Sequence, residues 1–290
     1  MEQPKQIRRR IGTFLGLTFG LTGVIEWLIH TLSPPSSAQE FEYYVLAVTW
    51  SPGIAALLTY RIHHQNFAAL GLNWTANPYY LVSYLIPLAY SLPAYFVVWR
   101  LGLGHFYDQA TFQTLTQHLG LTQLPLPLAM TGVIVILSTF GCLNYGLAAL
   151  GEEIGWRGLL VPELAKILPF WQTALFSGLI WSLWHYPIIL FSDYNGGTPA
   201  WYSTLCFTVT LTGSSFPLTW LRLRSGTVWT GVIFHASHNL LIISLFEPLT
   251  QKTDLTRYLT SEFGAVIACF SALVGAGFYY LSLNRLGHRH

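Results

Sequence analysis

The chain has 290 residues, of which 52% are hydrophobic and 9% are charged, and its mean hydropathy is +0.46. Soluble domains carry about 25% charged residues, so this composition excludes a water-soluble protein and predicts an integral membrane protein. The net charge of +2 is too small to indicate a nucleic-acid partner.

Eight apolar stretches are long enough to cross a hydrocarbon core of about 30 Å, which needs roughly 20 residues. The expected fold is therefore all-α, a polytopic membrane bundle of about eight transmembrane helices that forms a single domain over residues 1–290. In chain order, the predicted spans cover residues 11–32, 43–60, 79–99, 128–150, 170–191, 201–221, 227–246 and 263–283.

The basic residues lie unevenly between the two sets of connecting loops. With eight spans both termini share a side, and the longest loop, residues 102–127, lies on the opposite side. The opposite side carries only Arg100, Lys252 and Arg257. By the positive-inside rule, both termini are predicted to be cytoplasmic. The basic residues on the side of the termini are Lys5, Arg8, Arg9, Arg10, Arg61, Lys166, Arg222, Arg224, Arg285 and Arg289.

The fourth span ends in a charged stretch, residues 151–158, that contains Glu152, Glu153 and Arg157. A charge at bilayer depth costs at least about 2.5 kcal/mol. On a helix Glu153 and Arg157 share a face, whereas Glu152 points about 100 degrees away from Glu153. The spacing predicts a Glu153–Arg157 pair, with Glu152 facing another group. An ion-paired membrane boundary without chemistry is the alternative interpretation.

Two further spans contain polar groups that a lipid-facing helix would not tolerate. The fifth contains His185, and the seventh contains His235, His238 and Asn239. His235 and Asn239 are four residues apart and share one helical face. A single intramembrane histidine is more often a buried, hydrogen-bonded residue, but polar groups on three separate spans favour a functional site.

The chain lacks several motifs that would indicate other chemistry. It has no H-E-x-x-H zinc site, no G-x-S-x-G serine elbow and no phosphate-binding G-x-x-x-x-G-K-[ST] loop. Its three cysteines are isolated, so neither a disulfide framework nor a thiolate metal site is indicated. A carboxylate, two histidines and an amide remain, a set that suits water activation and attack on a carbonyl group.

These motifs resemble those of the CAAX protease and bacteriocin-processing (CPBP, or Abi) family of intramembrane proteases. The resemblance covers residues 128–246, and the motifs that carry it are Glu152-Glu153-x-x-x-Arg157, an aromatic-x-x-x-His ending at His185, and His235-x-x-x-Asn239. One departure is Trp181, where the family usually has Phe.

The resemblance implies an eight-helix endopeptidase that hydrolyses a membrane-associated peptide or protein within the lipid bilayer. Glu152 and His185 would activate water, and His235 and Asn239 would hold the oxyanion. Glu153 and Arg157 would support the site. The family includes enzymes that trim prenylated C-terminal CaaX proteins and bacterial members linked to bacteriocin maturation or immunity, and the sequence does not select between them.

The residue set leaves two mechanisms open. Zinc could bind to Glu152, His185 and His235, which would leave one position for water. Asn239 favours a mechanism that needs no cofactor, because an amide is a poor zinc ligand but a good oxyanion donor. Two other functions also stay open: a transporter with an intramembrane polar path, and a protease-like scaffold that has lost turnover.

The predicted boundaries place Glu152 and His185 at different depths. At about 1.5 Å per residue, Glu152 lies near the cytoplasmic end of the fourth span, whereas His185 lies far across the membrane. The two can meet only if the fourth span extends past Arg157, with a break at Gly146 or Gly151, or if the fifth span begins later.

Overall fold

The computed structural model describes residues 2–32 and 38–286. It is 80% helical, which confirms the prediction of an all-α polytopic membrane protein. A short 3-10 helix covers Phe67–Leu70, and two strands, β1 (His105–Phe106) and β2 (Thr250–Gln251), form an antiparallel pair. The helices are α1 (Pro4–Leu32), α2 (Ala38–Ile62), α3 (Tyr79–Arg100), α4 (Gln109–His118), α5 (Leu126–Ala165), α6 (Phe170–Phe191), α7 (Ala200–Ser225), α8 (Trp229–Leu249), α9 (Thr256–Leu259) and α10 (Ala265–Leu286).

Seven helices of the described chain are long and apolar enough to cross a membrane: α1, α2, α3, α5, α6, α8 and α10. The predicted sixth span corresponds to α7, which has 26 residues and is long enough to cross but is rich in Ser and Thr. Hydroxyl groups on α7 donate to carbonyl groups one turn earlier, as Thr208 does to Thr204. Such bonds satisfy a polar side chain inside an apolar bundle.

Helix α5 explains how Glu152 and His185 reach the same depth. It is a helical segment of 40 residues that extends past Arg157 to Ala165, without a break at Gly146 or Gly151. At about 1.5 Å per residue, Glu152 lies about 20 Å from the Ala165 end, and His185 lies about 22 Å from the start of α6. Two π-helical stretches, Leu137–Gly141 and Ile154–Leu160, interrupt the regular α-helical hydrogen bonding.

The loops gather at two opposite ends of the bundle. The terminal face comprises the start of α1 and the loops at 63–78, 166–169 and 226–228. Here Arg10 of α1 contacts Glu163 near the end of α5 at 2.6 Å, and the Trp229 indole donates to Leu72 O at 2.8 Å. The distal face comprises the loops at 101–125, 192–199 and 250–264. Strands β1 and β2 join the first of these loops to the last.

The long loop predicted at residues 102–127 is more ordered than a simple connection. It contains β1 and α4, and the Asp108 carboxylate caps α4 by accepting from Thr111 N at 2.8 Å. No periodic apolar pattern marks α4 in the sequence, because the helix is short and mostly exposed. Residues 33–37, which connect the first two predicted spans, lie outside the described residues.

Helices α2 and α5 cross closely where glycine leaves room. A Cβ atom at Gly155 would lie 2.5 Å from Pro52 Cβ, and one at Gly151 would lie 2.7 Å from Thr49 O. No side chain fits at either position without a shift of the backbone. Because Glu152 and Glu153 lie between these glycines, this crossing sets the position of both carboxylates relative to α2.

We therefore expect Gly155→Ala to destabilise the protein by about 1 to 3 kcal/mol, the usual cost of overpacking. Gly146→Ala is the matched control in the same helix, because a Cβ there meets nothing within 4 Å. Thermal unfolding in detergent measures both variants. Equal melting temperatures for the two would contradict close packing at this crossing.

Candidate active site

Four motif residues from three helices line one cavity of about 280 Å³. Glu152 comes from α5, His185 from α6, and His235 and Asn239 from α8. Glu152 is 4% exposed and His235 is 8% exposed, so both lie out of contact with lipid. The fold thus places a carboxylate, two imidazoles and an amide around one space that a peptide backbone could enter.

Beneath the cavity, Glu153 joins a buried ion pair to one of the histidines. The Arg157 guanidinium donates from Nη1 to Glu153 Oε1 at 2.8 Å, and both side chains are fully buried. The same Oε1 lies 3.2 Å from His235 Nδ1. An ionised carboxylate only accepts hydrogen bonds, so Nδ1 of His235 carries a proton and the imidazole is held by Glu153.

The sequence placed Glu153 with Arg157 but could not show that Glu153 also holds His235. Gly231, one turn before His235, makes room for this carboxylate, because a Cβ there would lie 2.4 Å from Glu153 Oε2. The backbone of Arg157 is fixed as well: Arg222 donates from Nε to Arg157 O at 2.7 Å. A cation from α7 therefore anchors the turn that carries the Arg157 side chain.

Trp181 contacts most of the site, although the sequence indicated only a wall residue. Its indole Nε1 donates to Glu152 Oε2 at 2.7 Å, and its ring lies 4.2 Å from the Arg157 guanidinium carbon. The His235 ring packs edge-on against it at 5.2 Å between centroids. The departure from the usual Phe was the available signal, since only Trp brings a donor.

The Glu152 carboxylate accepts hydrogen bonds from neutral groups, whereas the Glu153 carboxylate is paired with a cation. Besides Trp181, the Trp156 indole lies 3.4 Å from the same carboxylate oxygen. The other oxygen of Glu152, Oε1, has no hydrogen bond to the described protein groups. Indoles fix the carboxylate without supplying a positive charge, so Glu152 keeps an oxygen that can receive a proton from water.

His185 presents a defined tautomer to the cavity. Its Nδ1 lies 3.0 Å from Trp181 O, one turn earlier in α6. A carbonyl oxygen only accepts hydrogen bonds, so the proton is on Nδ1 and Nε2 has a lone pair. In this state His185 can accept a hydrogen bond from water.

His238 also lines the cavity, where Nδ1 pairs with the Tyr90 hydroxyl of α3. This contact supports the simple interpretation of His238 as a buried, hydrogen-bonded histidine. The described protein groups give no comparable partner to the Asn239 amide, which is half-buried at the cavity wall.

Two further carboxylates reach the cavity from outside the motifs. Glu26 of α1 lines it. Glu262 comes from the distal face and accepts a hydrogen bond from the Tyr194 hydroxyl at 2.5 Å. Burial raises the pKa of Glu262 to about 7. Glu262 does not stand out in the sequence, because it is a single acid next to the start of a predicted span.

Among residues 2–32 and 38–286, no group of three His, Cys, Asp or Glu side chains is arranged to hold a metal ion. Glu152, His185 and His235 are therefore not arranged as three close ligands of a catalytic zinc site in the described chain.

Comparison with known proteins places the similarity in this part of the chain. Residues 134–241 match the family described as type II CAAX prenyl endopeptidase Rce1-like. A curated relative, the CAAX prenyl protease 2 of Methanococcus maripaludis, is 27% identical over 135 residues. That match covers 44% of this chain and 46% of the relative, so it spans slightly less than half of the relative's length. Both matches confirm the predicted resemblance to the CPBP family.

We predict that Arg157→Ala lowers the stability of the protein, because Glu153 loses its buried partner. Removal of Arg157 leaves Glu153 buried beside His235 without its cation, and breaking one side of such a pair costs about 3 to 5 kcal/mol. We expect a lower yield of folded protein and a lower melting temperature in detergent.

The control is the double variant Glu153→Gln/Arg157→Met, which removes both charges and keeps similar volumes. It should be more stable than Arg157→Ala alone, because no unpaired charge remains. If Arg157→Ala were as stable as the wild type yet inactive, Arg157 would have to act directly in the chemistry.

Proposed function

We propose that this chain, whose residues 134–241 are similar to the Rce1-like CAAX endopeptidases, is an intramembrane endopeptidase that cleaves a membrane-associated peptide. The observation that carries the proposal is the convergence of Glu152, His185, His235 and Asn239 on one cavity. Polar side chains on α5, α6 and α8 carry a cost in free energy inside an apolar bundle, and a shared function accounts for their presence there.

In this mechanism Glu152 and His185 hold the attacking water. The lone pair on His185 Nε2 accepts a hydrogen bond from the water and orients it. Glu152 takes the second proton as the water oxygen attacks the peptide carbonyl carbon. When the tetrahedral intermediate collapses, the C–N bond breaks and Glu152 returns the proton to the leaving amine. General acid–base catalysis of this kind contributes about 10²- to 10⁴-fold in rate.

His235 and Asn239 stabilise the oxyanion in this proposal. The Asn239 amide supplies one N–H donor. Because Nδ1 of His235 is bonded to Glu153, a donor at Nε2 requires the imidazolium form. Glu153 stabilises that form, whereas Arg157, which is bonded to the same carboxylate oxygen, opposes it. Each oxyanion donor is typically worth about 10²- to 10³-fold in rate.

The proposed mechanism uses no metal step, because the Asn239 amide is a poor zinc ligand but a good oxyanion donor. Metal analysis of active, purified protein tests this choice. Stoichiometric zinc, with activity lost to a strong chelator and restored by zinc, would overturn the metal-free mechanism.

The proposed activity predicts that Glu152→Gln loses turnover by about 10²-fold or more while the protein stays folded. The measurement is cleavage of candidate membrane peptides by purified protein, analysed by mass spectrometry. Glu40→Gln makes the same chemical change at an exposed position outside the cavity and serves as the control. A product formed equally by all three proteins would come from another protease. Solute flux in liposomes without cleavage would favour a transporter.

Trp181→Phe tests how the site holds Glu152. The change keeps an aromatic ring beneath Arg157 but removes the donor to Glu152. A hydrogen bond to a charged group is worth about 1.5 to 3 kcal/mol, so we expect kcat to fall by about tenfold or more, with little change in KM.

Trp184→Phe is the matched control, since its indole donates to Thr22 Oγ1 and not to Glu152. Equal kcat values for the two variants would show that the Trp181 indole does not position the carboxylate.

A further inference from the structure

A carboxylate from outside the motifs shares the cavity with the motif residues. Glu262 lies in the turn before α10 and lines the same space as Glu152 and His235. We propose that Glu262 is a further substrate-binding residue, which accepts a hydrogen bond from the nitrogen of the cleaved peptide bond and then binds the amine that leaves. This inference rests on the proposed endopeptidase function and adds the group that holds the amine side of the substrate.

A strained turn brings Glu262 to the cavity. Ser261 has a φ of 62°, in the left-handed region that residues with a side chain rarely adopt. Gly264 closes the turn, because a Cβ there would lie 2.1 Å from Thr260 O. Such strain persists only where the surrounding structure maintains it, and it is concentrated at functional sites.

Two tyrosines hold this turn in place. Ser261 N donates to the hydroxyl of Tyr95 at 3.2 Å, and Tyr95 is a fully buried residue of α3. The Tyr194 hydroxyl donates to Glu262 Oε1 at 2.5 Å. Next to Glu262, the ring of Phe263 packs edge-on against Tyr194 at 5.0 Å between centroids. The position of the Glu262 carboxylate is therefore fixed from two sides.

Only one oxygen of Glu262 is used within the protein. The other, Oε2, has no hydrogen bond to the described protein groups and is not fully enclosed by protein atoms. A side chain that served only to fasten the turn would need one acceptor oxygen, and a neutral group would avoid the cost of burying a charge. Oε2 is thus an acceptor that a ligand in the cavity can use.

The motif residues leave one part of the peptide bond without a partner. In the proposed mechanism Glu152 and His185 hold the water, while His235 and Asn239 donate to the carbonyl oxygen. The N–H group of the same bond also needs an acceptor in a water-poor cavity, because a buried N–H without one is costly. Glu262 Oε2 supplies this acceptor.

The need for an anion grows when the bond breaks. The electron pair of the C–N bond stays on nitrogen, and Glu152 returns its proton to that nitrogen. An α-amino group has a pKa of about 8, so the released amine takes a further proton from the new carboxylic acid and becomes an ammonium ion. Glu262 forms no covalent bond in this step. Its carboxylate accepts hydrogen bonds from the ammonium, and such charge-assisted bonds are the strong ones.

The groups around Glu262 set the pH at which its carboxylate is available. Burial raises the pKa of Glu262 to about 7, against the opposing effects of the Tyr194 hydroxyl and of His235. The titratable groups that face it are Tyr90 of α3, Tyr145 and Glu152 of α5, Tyr194 of the adjoining loop, and His235 and Glu247 of α8. Those that line the rest of the cavity are Glu26 of α1, Tyr44 of α2, His185 of α6 and His238 of α8. Because only the ionised form binds an ammonium ion well, binding should weaken as the pH falls through about 7.

The pH dependence of cleavage by purified protein tests this role. The kcat/KM of the wild type should fall as the pH drops through about 7. Glu262→Gln should remove this fall and should lower kcat/KM at pH 8 by about tenfold or more, since a hydrogen bond to a charged group is lost. Glu247→Gln is the matched control and should keep the fall. Glu247 also accepts from a tyrosine, Tyr95, at 2.7 Å, but it does not line the cavity.

Binding of the amine product gives a second test that needs no turnover. The probe is the C-terminal product of a peptide that the wild type cleaves, and its N-acetylated form is the control because it carries no ammonium ion. Calorimetry at about pH 7.5 in a Glu152→Gln background measures both affinities. Adding Glu262→Gln should weaken binding of the free amine by about tenfold or more and leave binding of the acetylated form unchanged.

Thermal unfolding in detergent shows whether Glu262→Gln is folded. If it is not, Tyr194→Phe is the second variant: loss of the donor raises the pKa of Glu262, so the fall in kcat/KM should move to higher pH. An unchanged pH profile in these variants, or an equal loss of affinity for the free and the acetylated product, would contradict the proposed role. If the wild type cleaved none of the candidate peptides, the endopeptidase function would be wrong, and the role of Glu262 with it.

Discussion

The site depends on one buried ion pair, Glu153 with Arg157. Inside an apolar bundle neither charge can be solvated by water, so each must be satisfied by fixed protein groups. This requirement places His235 against the carboxylate, the Trp181 ring against the guanidinium and Arg222 against the backbone of Arg157. The pair therefore organises side chains from α6, α7 and α8 around a single turn of α5.

Adjacent positions on α5 give two carboxylates opposite tasks. Glu153 points into the protein and is neutralised by a cation, so it serves as a fixed negative charge. Glu152, about 100 degrees around the helix, reaches the cavity and accepts only from neutral indoles. A guanidinium bonded to Glu152 would hold its charge too firmly for proton transfer, whereas indole donors fix its position and leave it able to accept a proton.

Residue spacing within a helix predicts some of these features, whereas the others depend on contacts that only the folded structure shows. The i, i+4 relation of Glu153 and Arg157 follows from helix geometry alone, as does the shared face of His235 and Asn239. The depth of Glu152 did not follow, because hydropathy ends a span where charges begin, whereas α5 continues through them in a π-helical stretch. The contact of Trp181 with Glu152 and the approach of Glu262 are long-range, so no periodic pattern records them.

The buried layer beneath the cavity favours the proposed hydrolysis over transport. A transport path must lead toward both faces, and here it would have to cross the buried layer at residues 151–161, which the ion pair and Arg222 hold together. An enzyme needs only one opening, because substrate and product can use the same side. The groups that close the floor are also those that orient His235, so opening a path through the floor would dismantle the proposed oxyanion site.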